Sequence, residues 1–339
     1  MRYGIVIAQG ATLSSNAKEY LMSCNLSATT RATAPSRLFL FASYDKDKVI
    51  DESLLYYLRH LSKLGDIVFV MDSDTPAPEL EKLSQIPNIL HISATRHGEY
   101  DFGSYKRGYI WARDNNRLKN YDWLYLVNDS VCGPLSDLGP MLDKLESSGA
   151  DITGPVGNSD NIIPFHIQSW FVGLARGAFC APWFDAFLGG VVAHADKQDI
   201  VLHYEVSLTQ TALRNGASAY AILPDAGRAM YSDIFNALRA GVPFVKCAAL
   251  SNNPPNPRYL IPYAADKKII EMIYSELGAN GISWPSGDIR FDYSRSFRLT
   301  LFGIPLLTIY RKTLHRQTDY KACLFDRLAI CKISYTKKD

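Results

Sequence analysis

Short apolar runs that each stop on polar residues, with amphipathic helical segments between them, constrain this chain to a layered α/β architecture. Leu38 to Asp45 is such a run, and its length and flanks suit a strand buried on both faces of a parallel sheet. Leu54, Leu55, Leu58 and Leu61 follow at helical spacing over Ser53–Leu64, and Gly65 supplies the stop. Ile67–Met71 reads as the next strand, Pro76–Gln85 as a helix and Ile89–Ile92 as a third strand. A helix is expected from the Asp101–Ser104 region to about Leu118, then a strand over Trp123–Val127 and a helix over Leu138–Glu146. Asp151–Gly154 opens one more strand.

In such sheets ligands gather at the carboxyl ends of the strands. Tyr44-Asp45, Asp72 with Asp74, and Asn128-Asp129 all fall there. A core is expected over 36–250, preceded by an extension over 1–35 and followed by a helical, basic region over 251–339. The proline-rich stretch 251–258 marks the second boundary. The extension itself reads as a strand over Tyr3–Ala8 and a helix over Ser14–Cys24.

Composition limits the function classes. A chain of 339 residues with 47% hydrophobic and 21% charged residues is ordinary for a globular protein. The net charge of +2 is unevenly spread: from Pro285 onward there are eleven Lys and Arg against five Asp and Glu. A basic end suits an anionic surface such as lipid headgroups, or a solvated helix. No nucleic-acid-binding motif accompanies it, so no nucleic-acid partner is expected. The longest apolar run near the end, Leu299–Tyr310, contains Pro305 and is too short to span a bilayer. Cys24, Cys132, Cys180, Cys247, Cys323 and Cys331 form no C-x-x-C pair. Free, mostly buried thiols in a reducing cytosol are expected, not a zinc or redox motif.

The polar signals are individually modest. Gly98 to Gly103 lacks the lysine of a phosphate-binding P-loop, and no dinucleotide fingerprint stands elsewhere. It leads into a helix N-terminus carrying Lys106 and Arg107, a setting that suits a diphosphate. Asp101 is open to two readings, a helix cap or a donor contact. Asp129, at a strand end, suits a divalent cation bridging phosphates, or a turn cap. His166, Gln168, Ser169 and Trp170 set hydrogen-bonding groups beside an aromatic ring. Glu205 is expected to open a helix, where a carboxylate can take a proton from an attacking hydroxyl or simply favour the dipole.

Their order is more telling. Arg96-His97-Gly98-Glu99-Tyr100-Asp101-Phe102-Gly103-Ser104-Tyr105-Lys106, then Asn128-Asp129-Ser130 with Gly133-Pro134, then His166-Ile167-Gln168-Ser169, then Tyr204-Glu205 resembles the rhamnan synthesis protein F family over roughly residues 36–230. The resemblance implies a glycosyltransferase of surface polysaccharide with a GT-A-like nucleotide-sugar-binding fold. It implies a nucleotide-sugar donor held by Tyr44, Asp72, Asp101, Lys106, Arg107, Asn128 and Asp129. Glu205 is then the base, and His166, Gln168, Ser169 and Trp170 line the acceptor or sugar pocket. Asp129 takes the place of the metal-binding D-x-D with one carboxylate, which leaves Mg²⁺ or Mn²⁺ dependence open. The implied reaction moves a sugar, L-rhamnose or another deoxy or furanose sugar, onto a lipid-linked glycan of O-antigen or rhamnan type. The implied place is the cytoplasm, at the inner face of the membrane. A non-catalytic glycan- or nucleotide-binding scaffold is the alternative.

Overall fold

The computed structural model describes residues 35–159, 163–194, 197–252, 255–276, 294–301, 304–314, 317–324 and 328–336. The strand and helix expected before residue 35 lie outside them. The chain divides into two compact units, one of residues up to 254 with 261–280, the other of residues 255–260 with 281–339.

The first unit is built on β1 (Arg37–Ser43), β2 (Asp66–Met71), β3 (Ile89–Ala94) and β4 (Trp123–Asn128), all mutually parallel. Shorter strands complete it: β5 (Val131–Cys132), β6 (Ile152–Asn158), β7 (His166–Ile167), β8 (Phe171–Ala175), β9 (Ala219–Leu223) and β10 (Val245–Lys246). The main sheet runs in the order β3-β2-β1-β4-β8-β6-β7, with β9 beside β6, while β5 and β10 pair apart from it. β8 runs antiparallel between β4 and β6, and β6 and β9 are parallel. The expected α/β architecture with a mostly parallel sheet flanked by helices is therefore the one observed. Strand alternation sorts the core into two faces. Phe39, Phe41, Phe69 and Tyr125 pack with Leu54, Leu58, Leu61 and Leu142. Leu38, Leu40, Val68 and Leu126 pack with Tyr105, Tyr109 and Phe184 on the other side.

The helix Glu52–Leu61 starts where Asp51 accepts from the Leu54 N–H, a side-chain cap of the usual kind. Gly65 closes against β1, since a Cβ there would collide with the carbonyl of Arg37. Arg37 in turn forks onto Glu146 at the end of the helix Gly139–Glu146, with N–O distances of 2.6 and 2.8 Å, and the Tyr125 hydroxyl donates to the same carboxylate. Both side chains of this ion pair are almost wholly buried (8% and 7% exposed). Removing one partner strands a buried charge, so Glu146→Ala is expected to cost about 3–5 kcal/mol in urea unfolding.

The second unit corrects an expectation. From Ser294 the described residues are strands, not helices: β11 (Ser294–Leu301), β12 (Ile304–Leu314), β13 (Gln317–Leu324) and β14 (Leu328–Thr336) form an antiparallel four-stranded sheet. The reason is in the pattern. Phe297, Leu299 and Leu301 recur every second residue, and β-branched and aromatic residues crowd Ile304–Thr313 and Ile330–Thr336. The one long helix beyond the proline-rich stretch among the described residues, Lys267–Glu276, belongs to the first unit.

Candidate functional site

β1, β2 and β4 end side by side, and each delivers a polar residue to the same edge. At the end of β4, the Asp129 carboxylate accepts from the Ser43 hydroxyl (2.7 Å) and the Tyr44 N–H (2.9 Å), both at the end of β1. Burial pushes its pKa up to about 7; the two hydrogen bonds oppose the rise and the charge of Asp101 adds to it. Asp101 does not cap its helix. The helix Tyr100–Asp114 begins a residue earlier, and Asp101 instead accepts from the Asn128 amide at 2.8 Å. Asn128 then accepts from the N–H and hydroxyl of Ser130, and the ammonium of buried Lys246 donates to that hydroxyl at 2.9 Å.

Asp72, at the end of β2, shapes the loop that enters the same helix. It accepts from the N–H groups of His97 (2.6 Å) and Gly98 (2.9 Å) and from the Arg96 guanidinium (2.5 Å). This holds Arg96 over the ring of Tyr44, 5.2 Å from its centroid, and both are half exposed. His97 is buried beneath, its Nε2 3.0 Å from the Ser104 hydroxyl, and burial, with the charge of Arg107, lowers its pKa. The space for that ring exists because residue 103 is glycine: a Cβ there would meet both the His97 ring and Glu99. Lys106 and Arg107 are engaged locally, Lys106 with the Val191 carbonyl and Arg107 with Glu99 and the Gly103 carbonyl.

Beside Asp129 lies a cavity of about 270 Å³. Its walls include Tyr44, Asp45, Val49, Leu54, Tyr57 and Ile273, and the buried Tyr57 hydroxyl has no protein partner there. Cys132 and Cys247 also line it and are joined as a disulfide, which corrects the expectation of free thiols for these two. Cys180 is a buried thiol that takes part in no disulfide, as expected.

The other half of the site reaches Asn128 through one turn of chain. The Asn128 N–H donates to the Trp170 carbonyl (3.2 Å) and the Tyr105 hydroxyl to the Ser169 carbonyl (3.0 Å). Gln168 accepts from the Trp170 indole at 3.0 Å. Ser169 turns its N–H and hydroxyl onto one oxygen of Glu205, and the His166 Nε2 stands 3.7 Å from the other. His166 Nδ1 faces the Pro164 carbonyl, which can only accept, so that nitrogen carries a hydrogen. Burial would raise the Glu205 pKa, but His166 and Ser169 outweigh it and hold the carboxylate below its usual range. Glu205 does not open a helix. It sits in a π-helical turn, Val201–Val206, running straight into the helix Ser207–Arg214, so no helix-start dipole acts on it.

Sequence reasoning missed Ser43, Lys246 and Tyr231. Ser43 lies inside the run read as reaching Asp45, and the strand in fact stops on it, whereas Lys246 lies in an unremarkable short run. Tyr231 is 52% exposed, and its phenol feels the Glu205 charge.

Among the described residues, no group of three or more His, Cys, Asp or Glu could hold a metal, and no helix is long and apolar enough to cross a membrane. Two carboxylates, Asp129 and Asp101, do share the strand end. The charge of each bears on the other, and Asp101 helps to raise the Asp129 pKa.

Among solved structures, core-mannan synthase A from Aspergillus fumigatus in its Mn/GDP form is 10% identical with a TM-score of 0.33, over 57% of this chain and 74% of that one. The mannosyltransferase Ktr4p from S. cerevisiae is 6% identical with a TM-score of 0.33, over 56% and 70%. Likenesses this slight place no residue. The protein y4gN of Sinorhizobium fredii is 26% identical over 162 residues, 47% of this chain and 41% of that protein's length. Rhamnan synthesis protein F matches residues 67–273, more than half of the chain and all of the site from Asp72 to Ile273, so the chain belongs to the rhamnan synthesis protein F family.

Proposed function

We propose that this chain is a glycosyltransferase of polysaccharide synthesis, taking a sugar from a nucleoside diphosphate donor and passing it to a glycan hydroxyl. The observation that carries the reading is the joining of two chemistries by one hydrogen-bonded segment: Asp129 beside a cavity, and an ionised carboxylate, Glu205, held by Ser169 next to it. Membership of a family named for rhamnan synthesis supports the same reading and suggests L-rhamnose, or another deoxy or furanose sugar, as the group moved.

In this mechanism the donor occupies the cavity and the strand ends, with Tyr44 and Arg96 presenting a flat face to its base. Asp129, with Asp101, would hold Mg²⁺ or Mn²⁺, whose charge stabilises a departing diphosphate. Asn128 fixes Asp101 in place, and the Tyr57 hydroxyl is available to a polar group of the donor. The acceptor sugar lies against Tyr231, Gln168 and Ser169; Trp170, expected to line this pocket, is instead buried in the core at 1% exposure and supports the segment from behind. Glu205 takes the proton from its attacking hydroxyl, and displacement in line inverts the anomeric carbon. The acceptor is a lipid-linked glycan of O-antigen or rhamnan type, met at the inner face of the cytoplasmic membrane. The basic composition of the stretch from Arg290 suits binding to that anionic surface. Neutralising Arg295, Arg298 and Arg311 together is expected to release the protein from anionic vesicles with nucleotide binding intact; unchanged vesicle binding would reduce the stretch to ordinary packing.

The decisive experiment is a thermal-shift screen of nucleoside diphosphates and nucleotide sugars with and without Mn²⁺. Stabilisation by one nucleotide family is the expected result. Stabilisation by none, together with binding of glycan fragments, would favour a scaffold without catalysis.

A further inference from the structure

We infer that Cys132 and Cys247 form a redox-operated clamp on the wall of the cavity beside Asp129. Cys132 ends the two-residue strand β5, and Cys247 follows β10 to open the short helix Cys247–Asn252. Their Cα atoms are 5.4 Å apart across a sequence separation of 115 residues. Apart from that bond, the segment is held to the Asn128-Asp129-Ser130 turn by few backbone links. β10 pairs with β5 through only Val245 with Cys132 and Lys246 with Val131, and the Cys247 N–H donates to the Ser130 carbonyl at 3.2 Å. The sulfur of Cys247 also lies 3.8 Å from the Asp129 carbonyl. Buried Phe244 and Val245 and the Lys246 bond to Ser130 anchor the strand itself, but the ladder beyond them is short, so the covalent bond sets how far the cavity-side end at Cys247 can open.

Both cysteines line the cavity, and Cys247 is partly exposed, which gives a small thiol reagent a way in. A low-molecular-weight disulfide such as glutathione disulfide is the oxidant. The Cys247 thiolate attacks one of its sulfurs, forming a mixed disulfide and expelling one glutathione thiolate. The Cys132 thiolate then attacks the Cys247 sulfur and expels the second. Two electrons pass from the protein to glutathione, and the two thiol protons go to the released thiolates or to solvent. Glutathione thiol reverses the sequence. The oxidised form holds the strand-end turn in its binding geometry, so oxidation tightens ligand binding. That last effect rests on the donor reading of the cavity.

The test compares the full chain after equilibration with glutathione disulfide and with reduced glutathione, alongside Cys132→Ser and Cys247→Ser. Mass spectrometry is expected to find the two peptides linked after oxidation. Amide exchange over 129–132 and 245–252 is expected to slow at least about threefold in the oxidised wild type only, as a tether on a weak ladder requires. Uridine, thymidine and guanosine diphosphates with Mn²⁺ serve as ligand probes, and whichever binds is expected to bind at least about threefold tighter to the oxidised form. Alkylation of both cysteines after the oxidising treatment overturns the clamp, and so does a linked pair with unchanged exchange. Slowed exchange with no diphosphate bound in either state leaves the clamp standing and removes the donor reading instead.

Discussion

Glu205→Gln is expected to leave donor binding intact while lowering turnover by at least about a hundredfold, the low end for loss of a general base. The substitution is nearly isosteric, and the glutamine oxygen can still accept from the Ser169 N–H and hydroxyl that now hold the carboxylate. What disappears is the basic oxygen facing His166. Direct calorimetry of donor binding, set against product formation at saturating donor, separates the two effects. A near-normal rate would take Glu205 out of the base role. The pH profile adds a constraint. Because the folded-state pKa of Glu205 is depressed, its contribution to stability is present above the ordinary glutamate value and is lost as pH falls through the lower folded value. The group is therefore already ionised at about pH 5, above the ordinary glutamate range. Any acid limb of activity nearer neutrality belongs to another residue.

How far the sequence led differs between the two halves of this site. Strand ends are legible because apolar runs stop abruptly, so Tyr44, Asp72 and Asn128-Asp129 could be set on one edge before any coordinates. Glu205 could be tied to His166 and Ser169 only through the family resemblance; locally it looked like a helix start. The π-helical turn that carries it has no period of its own to detect. Ser43 as the partner of Asp129, Lys246 behind Ser130 and the Cys132–Cys247 pair are contacts between residues 86, 116 and 115 positions apart, and tertiary packing alone brings them together. The strands after residue 294 are hard to read for another reason. Interspersed Arg and Lys fit a basic helix as well, and they obscure the two-residue alternation beneath them.

Asp129→Asn is expected to abolish the pH dependence of metal-assisted donor binding and to raise stability above neutral pH. With a pKa of about 7, Asp129 in the free wild type is half protonated near neutrality, and a divalent cation must displace that proton. Nucleoside diphosphate binding in Mn²⁺ is therefore expected to strengthen about tenfold between about pH 6 and pH 8, as one titrating ligand requires. In the Asp129→Asn variant the profile is flat and the Mn²⁺ requirement is gone. Stability moves the opposite way. A carboxyl whose folded pKa is raised contributes fully below its ordinary value of 3.8, and that contribution is lost as pH rises through about 7. At about pH 8 the penalty is at most roughly 4 kcal/mol, and asparagine removes it while its side-chain oxygen keeps the bonds from Ser43 and Tyr44. Melting temperatures of the two proteins should converge near about pH 4 and separate by about pH 8, with the variant higher. A variant that melts lower at the alkaline end would mean that the charge-assisted bonds to Ser43 and Tyr44 outweigh burial. The carboxylate would then be ionised throughout, and any strengthening of binding with pH would have to come from the ligand.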